Sequence, residues 1–343
     1  MCQNLRVLDS KNKEIGLVDV NKYMQDEKII LTTKNENKVK SAEEKLDSLI
    51  GLSSIKKYIL KIKAYALHNS NDSEFNLHMC FYGNPGTGKT EVARLISTIL
   101  YDNKILPEAK FIETNANGLI GQFVGETGKK THDLFISALG GVLFIDEAYT
   151  LASKGVDTYA KEALATLLKD MEDYRGKICV ILAGYRDEMS ELLQSNPGFK
   201  SRIQFELDFP DYNFDELLAI EKLMIQNKGY QINEDAAIKI CEACEYYKDK
   251  ANFANARTIR NIIDQVIMNQ NLRAINDAND KLIKIDDVLE YIEENGIELN
   301  KTYNNNINIL SAINFLFCLL QKPTAAAIAN CIVYNKETLN IRQ

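Results

Sequence analysis

Two short motifs in this chain of 343 residues bring together the residue types that bind phosphate groups. The first, Gly83-Asn-Pro-Gly-Thr-Gly-Lys-Thr90, follows an apolar run at 77–82 and opens a helical pattern. In that context the glycines let backbone N–H groups turn towards phosphates, and the helix N-terminus adds its positive end. The Lys89 ammonium reaches the β- and γ-phosphates, and the Thr90 hydroxyl is a ligand for Mg²⁺. We predict a nucleotide site made by Gly83, Asn84, Pro85, Gly86, Thr87, Gly88, Lys89, Thr90 and Glu91.

The second motif, Val142-Leu-Phe-Ile-Asp146-Glu147, has the pattern of a buried strand that ends in two carboxylates. Open α/β sheets bind ligands at the C-terminal edge of their strands, so both carboxylates are expected at the phosphates. Asp146 would hold the magnesium ion, and Glu147 would polarise the attacking water. The two motifs in this order predict that the chain binds ATP with Mg²⁺ and hydrolyses it, with Lys89, Asp146 and Glu147 as catalytic residues.

The overall composition narrows the classes of partner. Hydrophobic residues make up 45% and charged residues 26% of the chain, as in an ordinary globular protein. The formal net charge of −7 argues against a nucleic-acid partner, which normally requires a basic face. The N-terminus lacks a signal-peptide pattern, and the longest apolar run, at 309–320, is too short to span a bilayer. We therefore expect no membrane partner.

The cysteine pattern indicates a reducing compartment. Seven scattered cysteines, an odd number, fit free thiols better than a disulfide framework. We expect a cytoplasmic protein, of the bacterial cytosol or alternatively of the plastid stroma. Cys241 and Cys244 lie three apart in a helical pattern, which favours core packing over metal or redox chemistry. The histidines form no cluster in sequence and are assigned no metal role.

Apolar strand candidates alternate with helical patterns over the middle of the chain. The candidates are 77–82, 110–114, 142–146, 178–182 and 204–207. This alternation is typical of a parallel sheet with helical crossovers, and it predicts an α/β fold with helices on both faces of the sheet. We predict four parts: an N-terminal leader and linker at 1–45, an α/β ATPase domain at 46–209, a small all-helical lid domain at 210–298, and a C-terminal helical extension at 299–343.

The segments outside the α/β domain are less regular. Helices are predicted in the lid over 234–248, 255–274 and 286–294, and Asn213 with Glu216 forms the residue pair of a helix-capping box. The leader contains a pattern for a small hairpin. The extension contains three short helical patterns in helix-turn-helix order, for which protein docking or ring packing is favoured over DNA reading.

A glycine-flanked loop between the second strand candidate and the Asp146 strand carries the tripeptide Phe123-Val124-Gly125. Glycines weaken strands, so the segment is expected to be a loop. An aromatic side chain there would face a central pore and grip an extended polypeptide, through apolar contacts that tolerate varied sequences. The alternative is that Phe123 fills a gap in the hydrophobic core.

Arginines at two further places are candidates for contact with phosphate. A Pro-Gly turn is expected to present Arg202 at the start of a strand, and a planar guanidinium suits phosphate. Supplied by a neighbouring subunit, it would be an arginine finger, worth ~10³–10⁵ in rate. Lys200 and Arg186 compete for this role, and a surface salt bridge is the alternative for Arg202. Farther on, Arg257 and Arg260 lie three apart on one helix face, where one of them would close on the γ-phosphate or both would simply face solvent.

With these residues identified, 48–295 resembles the AAA+ ATPases, and specifically the CbbX/CfqX branch that contains the red-type Rubisco activases and stage V sporulation protein K. Several phrases match in the family's order. They are Gly83-Asn-Pro-Gly-Thr-Gly-Lys-Thr, Gly140-Gly-Val-Leu-Phe-Ile-Asp-Glu-Ala-Tyr149, Val180-Ile-Leu-Ala-Gly-Tyr185, Asn196-Pro-Gly-Phe, Phe209-Pro-Asp-Tyr212 and Asn255-Ala-Arg257.

The resemblance implies a ring, expected to be a hexamer, with each ATP site at a subunit boundary. It also implies a role for each of several residues. Ile50 and Gly51 would contact the adenine, Tyr185 would occupy the first sensor position, Phe123 would be the pore-loop aromatic, Arg202 the finger and Arg257 the sensor of the second domain.

The predicted function is an ATP-driven remodeller of a client protein, whose identity the sequence does not name. Hydrolysis would move the helical domain and with it the Phe123 loop. One alternative is a nucleotide-gated interaction scaffold, whose end segments bind a partner. The other is a nucleic-acid motor or loader on the same core, against which the acidic charge balance argues.

Overall fold

The computed structural model describes residues 40–69, 75–123, 125–151, 158–248, 250 and 253–299. The leader hairpin and the helical patterns of the C-terminal extension lie outside these ranges, as does Val124. No helix within the described ranges is both long enough and apolar enough to cross a bilayer.

A five-stranded parallel sheet forms the centre of the first domain. Its strands are β1 Met79–Gly83, β2 Phe111–Asn115, β3 Val142–Asp146, β4 Cys179–Gly184 and β5 Phe205–Phe209. They lie in the order β2-β3-β4-β1-β5. All five strand candidates of the sequence are confirmed, with small shifts at their ends. Because every pair is parallel, the carboxyl ends of β1, β3 and β4 meet at one edge.

Helices cover both faces of this sheet. They are α1 Ala42–Ser48, α2 Ser53–Asn69, α3 Lys89–Asp102, α4 Ala116–Leu119, α5 Thr127–Ser137, α6 Thr158–Asp173, α7 Arg186–Ser195 and α8 Pro197–Arg202. Successive strand residues point to opposite faces, so β3 sends Phe144 into one buried apolar cluster and Leu143 into the other. Two-sided burial explains why its sequence is a continuous apolar run rather than an alternating one.

The second domain is a helical lid, as predicted. It contains α9 Phe214–Asn227, α10 Glu234–Tyr246, α11 Ala256–Arg273 and α12 Ile285–Glu294. It also contains a parallel pair of two-residue strands, β6 Gln231–Ile232 and β7 Leu282–Ile283. Strands this short leave no alternating pattern, which is why only helical periods were visible in the sequence. Cys241 and Cys244 are buried in the lid core, which confirms their packing role.

Two local expectations need correction. The charged segment taken as linker up to residue 45 already contains α1, which begins at Ala42. Ala42 and Leu46 are both buried on one face of that helix. A single alanine in a charged segment does not by itself predict a buried helix face. The expected Pro-Gly turn before Arg202 is instead the short helix α8, with Pro197 in its first turn. The Asn196 side chain caps α8 by accepting a hydrogen bond from the Gly198 N–H at 2.9 Å.

The capping box at the start of the lid is confirmed. The Asn213 side chain accepts from the Glu216 N–H at 2.9 Å, and a Glu216 carboxylate oxygen accepts from the Asn213 N–H at 3.0 Å. These two bonds satisfy backbone donors that the first turn of α9 would otherwise leave unpaired.

Replacing this cap gives a direct test of its contribution. Asn213→Ala removes the acceptor for the Glu216 N–H and is expected to lower the free energy of unfolding by about 1 kcal/mol. Asn213→Asp is the matched control, because aspartate is an equally good cap. Urea unfolding of both variants beside the wild type measures the difference. Equal loss in both variants would show that the amide, rather than the cap, matters.

Candidate nucleotide-binding site

A cavity of about 580 Å³ opens at the carboxyl edge of the sheet, where the lid faces the first domain. Its wall is built from the loop after β1, the ends of β3 and β4, the turn between α1 and α2, and the helices α9 and α11. Both domains therefore contribute to one site, and a molecule bound in it contacts both.

The loop after β1 is packed more tightly than a loop usually is, because two of its glycines touch backbone. A Cβ atom on Gly83 would lie 2.4 Å from the Phe209 carbonyl oxygen. A Cβ atom on Gly86, where φ is +73°, would lie 2.1 Å from the Ala254 carbonyl oxygen. Backbone atoms cannot easily move aside, so only glycine fits at either position. The loop is thus held against the end of β5 on one side and the start of α11 on the other.

Lys89 is the first residue of α3, directly after a left-handed Gly88. Its Nζ atom donates hydrogen bonds to the carbonyl oxygens of Gly83 at 2.7 Å and of Asn84 at 2.8 Å. Burial lowers the pKa of Lys89, and the positive charge of Arg257 acts in the same direction, while Asp146 opposes both. The ammonium is therefore fixed at the loop by neutral carbonyls. Its pKa depends on charged residues of both domains, because Asp146 belongs to the first domain and Arg257 to the lid.

The carboxylate pair lies at the end of β3, as predicted. Asp146 is the last strand residue, and its Oδ1 accepts a hydrogen bond from the Glu147 N–H at 3.0 Å. Glu147 has φ +50°, a left-handed conformation that side-chain-bearing residues rarely adopt and that costs on the order of 1–3 kcal/mol. Strain of this kind persists where the surroundings enforce it, and here it turns the chain sharply so that both carboxylates line the cavity.

Two tyrosines stand beside the carboxylates. Tyr185 follows β4 and lines the cavity, and its ring lies 5.8 Å from that of Tyr149. Burial raises the pKa of Tyr149, and the negative charge of Glu147 adds to this effect. The Tyr149 hydroxyl therefore stays protonated. Tyr149 was not predicted as a site residue. Its position two residues after Glu147 could have indicated that it lies near the carboxylates.

The end of the cavity away from the carboxylates is apolar. Ile50 lies there with Leu49 and Leu52 from the turn between α1 and α2, and Ile220 and Met224 of α9 also line the wall. An apolar slot suits a flat, weakly polar ring such as a purine base. The α9 residues were not predicted as site residues. An apolar helix face predicts burial, but it does not show whether the face packs against the core or against a ligand.

The lid places two arginines at the cavity. Arg257 and Arg260, one turn apart on α11, both line it. Together with Lys89 they give the cavity three cationic side chains, beside the carboxylates of Glu91, Asp146 and Glu147. Arg260 was recognised in the sequence as part of the pair but was not assigned to the site.

The structure brings most of the predicted nucleotide-site residues together. The cavity is lined by Ile50, Gly83, Pro85, Gly86, Gly88, Lys89, Thr90, Glu91, Asp146, Glu147, Tyr185 and Arg257. Three predicted residues are not in its lining. Gly51 lies against Glu216, whose Oε1 atom would be 2.4 Å from an added Cβ. Thr87 is buried, and Asn84 turns its amide to Asp211, at 3.0 Å from each carboxylate oxygen.

Phe123 and Arg202 are also outside the cavity. The Phe123 side chain is 67% exposed, so it does not fill a gap in the core. Arg202 donates from Nη1 to the Gly198 carbonyl oxygen at 2.9 Å, and its Nη2 pairs with Glu172 at 3.1 Å. Of the two competing cations, Arg186 pairs with Asp208 and lies over the Tyr82 ring, and Lys200 is exposed on α8.

The strand order, the glycine loop with its lysine, and the carboxylate pair at the edge of the sheet define a P-loop nucleoside triphosphatase with a helical lid. Comparison with protein families agrees with this class. Residues 79–211 match the model described as "ATPase family associated with various cellular activities (AAA)", and residues 213–296 match the AAA lid domain.

Comparison with characterised proteins narrows the class. Stage V sporulation protein K of Bacillus subtilis is 39% identical over 266 residues, covering 74% of this chain and 82% of that protein. The chloroplastic ribulose bisphosphate carboxylase/oxygenase activase of Cyanidioschyzon merolae is 38% identical, covering 73% and 90%. Protein CfxQ of Xanthobacter flavus is 40% identical, covering 66% and 74%. The chain belongs to this CbbX/CfxQ branch of the AAA family and is an ATP hydrolase.

Solved structures share the fold at lower identity. The AAA domain of FIGL-1 in complex with ADP superposes with a TM-score of 0.53 at 17% identity, covering 77% of this chain and 89% of that one. The Holliday junction branch migration motor RuvB of Thermotoga maritima gives 0.53 at 22% identity, covering 72% and 70%. At these identities the likeness establishes the arrangement of sheet and lid only.

The contact between Gly86 and the lid can be tested by adding one methyl group. Gly86→Ala places a Cβ against the Ala254 carbonyl and is expected to raise the dissociation constant for ATP at least about 10-fold, because the loop and α11 must separate. Gly229→Ala is the matched control: its φ of +79° imposes similar backbone strain, but nothing lies within 4 Å of the added atom. Titration with a fluorescent ATP analogue measures both, and equal affinities would contradict the role given to this contact.

Proposed function

We propose that this ATPase assembles into a ring and uses ATP hydrolysis to remodel a client protein, which it grips with the loop around Phe123. The observation that carries the proposal is the exposure of Phe123, which at 67% is the most exposed large apolar side chain that the structure describes in the α/β domain. Its ring lies in a loop, where it is accessible for an apolar contact with another chain.

The chemistry at the nucleotide begins with binding. The backbone of the loop after β1 and the Lys89 ammonium would hold the β- and γ-phosphates, and the apolar slot around Ile50 would hold the base. The donor set fits Mg²⁺, a hard cation that prefers oxygen ligands, because the Thr90 hydroxyl and the Asp146 carboxylate both line the cavity. When bound there, the ion would neutralise charge on the phosphate oxygens.

Glu147 would orient and polarise the attacking water. Its carboxylate is exposed to the cavity and its backbone is fixed by the bond from its N–H to Asp146. The neighbouring Tyr185 hydroxyl is placed to donate a hydrogen bond to that water or to the γ-phosphate. Arg257 would face the γ-phosphate from the lid, so that loss of this group changes the contact between the lid and the first domain.

Arg202 is proposed to act on the nucleotide of a neighbouring subunit. It does not line the cavity of its own chain, and its guanidinium is held by Gly198 of α8 and by Glu172 of α6. A guanidinium fixed in this way but away from its own site is suited to complete the site of an adjacent copy. Each ATP site would then lie at a subunit boundary. A head-to-tail contact of this kind completes every site when the assembly closes into a ring, and we propose a hexamer.

The loop that carries Phe123 is anchored on both sides. The Phe123 carbonyl oxygen accepts from the Glu126 N–H at 3.2 Å, and the Glu126 carboxylate accepts from the Phe123 N–H at 3.3 Å. Gly125, at φ +84°, has nothing within 4 Å of where a Cβ would lie. These bonds fix Phe123 against Glu126 and leave Gly125 uncovered, which suits contact with an extended polypeptide.

The relatives support a protein client, since one is named an activase of an enzyme. Their names do not identify the client of this chain, and a scaffold that binds its partner in a nucleotide-dependent way remains the alternative.

We expect Glu147→Gln to slow hydrolysis about 10²–10⁴-fold while ATP binding persists, because only the group that polarises water is lost. A tagged variant should therefore retain its client in a pull-down made with ATP.

The pull-down separates the remodelling and scaffold functions when two variants are compared. Capture with ATP but not ADP that is lost in Glu147→Gln/Phe123→Ala supports remodelling through the loop. Capture with ATP that persists in Glu147→Gln/Phe123→Ala would support the scaffold. Phe123→Ala alone should leave basal ATPase activity within about twofold, because the side chain makes no part of the nucleotide cavity.

A further inference from the structure

Asn255, the residue before α11, has a backbone conformation that asparagine rarely adopts. Its φ is 47° and its ψ is −125°, a strained combination that persists only where neighbouring residues enforce it. Its side chain is fully buried and makes no hydrogen bond to the first turn of α11, although asparagine before a helix usually makes one. The polar atoms of this side chain are therefore used elsewhere.

The Asn255 amide connects three segments of the chain. Its Nδ2 atom donates to Asp211 Oδ1 at 2.7 Å and to the Pro85 carbonyl oxygen at 3.3 Å. Its Oδ1 atom accepts from the Tyr212 N–H at 3.0 Å. Pro85 belongs to the phosphate-binding loop, and Asp211 and Tyr212 lie in the connection between the two domains. One buried side chain thus joins the loop, the interdomain connection and the lid.

Asp211 extends this network back to the phosphate-binding loop. Both of its carboxylate oxygens accept from Asn84 Nδ2 at 3.0 Å, so the carboxylate lies between an amide of the loop and an amide of the lid. The Tyr212 hydroxyl donates to the Thr87 carbonyl oxygen at 3.1 Å, which ties the same connection to the loop a second time. Hydrogen bonds to a charged acceptor are the stronger class, and this one is shared by both domains.

We propose that Asn255 is a positioning residue: through Asp211 it fixes the start of α11 against the phosphate-binding loop, so that Arg257 faces the nucleotide. Asn255 does not line the cavity itself and acts only through its neighbours. The Ala256 N–H donates to the Gly86 carbonyl oxygen at 3.3 Å, so a shift of the Asn255 side chain moves the backbone that contacts the loop. The inference rests on the proposed function only in giving Arg257 a role at the nucleotide.

The consequence is a change in apparent ATP affinity rather than in the hydrolysis step. We call the hydrogen bond between the Asn255 amide and the Asp211 carboxylate the latch. When the latch is broken, a smaller fraction of the molecules holds the lid in the position that binds ATP. The apparent affinity falls by that fraction, whereas molecules saturated with ATP still place Lys89 and Glu147 correctly. The Michaelis constant should therefore rise with little change in kcat.

Exchanging the Asn255 amide and the Asp211 carboxylate tests directly whether their hydrogen bond sets the KM for ATP. Asn255→Asp keeps the shape and the acceptor for the Tyr212 N–H but sets two carboxylates against each other. We expect it to raise the KM for ATP about 10- to 100-fold, with kcat at saturating ATP within about threefold of the wild type. Adding Asp211→Asn restores a donor and acceptor pair at the same net charge and should return KM to within about fivefold of the wild type.

Asn261→Asp is the matched control, since Asn261 is exposed on the same helix and takes the same change of charge. It should leave both constants unchanged. Asn255→Gly keeps a backbone that tolerates positive φ but removes the amide, and it should also raise KM. This second variant keeps the test decisive if Asn255→Asp fails to fold.

Two results would overturn the proposal: a wild-type KM in Asn255→Gly, or no recovery of KM in the double exchange at normal thermal stability. Neither measurement involves a client protein, so failure here is separate from failure of client remodelling. Arg257→Ala is measured alongside. If Arg257→Ala leaves KM and kcat unchanged while Asn255→Asp raises KM, the latch affects ATP binding without Arg257, and the nucleotide role given to Arg257 is wrong.

Discussion

The structure depends on one close contact, that of the phosphate-binding loop with the backbone that begins α11. Gly86 leaves no space for even a methyl group against the Ala254 carbonyl, and its own carbonyl accepts from the Ala256 N–H. This contact adds backbone-to-backbone packing between two domains that already share one buried apolar cluster, which runs from a face of the parallel sheet into the helical lid. Any movement of the loop on binding or losing phosphate is therefore felt by the lid, because packed backbone transmits displacement instead of absorbing it.

Electrostatics reinforce the same arrangement. The site collects Lys89 from the first domain and Arg257 and Arg260 from the lid, facing the carboxylates of Asp146 and Glu147. Arg257 repels the Lys89 ammonium: burial is the main cause of the lowered pKa of Lys89, and the charge of Arg257 adds to it, while Asp146 acts in the opposite direction. A triphosphate would remove that repulsion and draw the lid in. Loss of the γ-phosphate would weaken the attraction, which gives hydrolysis a mechanical consequence.

The sequence was informative where local chemistry dictates local structure. The P-loop and the Asp146 strand were recognised from residue types with fixed spacing, and the apolar runs located the five strands. What it missed depends on contacts between distant segments. The apolar slot needs α9 to face the α1–α2 turn, and the amide of Asn255 finds Asp211 only after both domains have folded. Ala42 was overlooked because a small buried residue looks neutral in a charged segment.

The central claim is that the nucleotide sets the position of the lid, and a distance between the domains tests it most directly. Spin labels at Lys57 of α2 and Met268 of α11, both exposed, would be introduced in Glu147→Gln after serine replacement of Cys2, Cys318 and Cys331. The remaining cysteines are buried. Pulsed dipolar spectroscopy should give a narrow distance distribution with ATP and a shifted or broader one with ADP, and Arg257→Ala should remove the difference. Identical distributions with ATP, with ADP and without nucleotide would contradict the account.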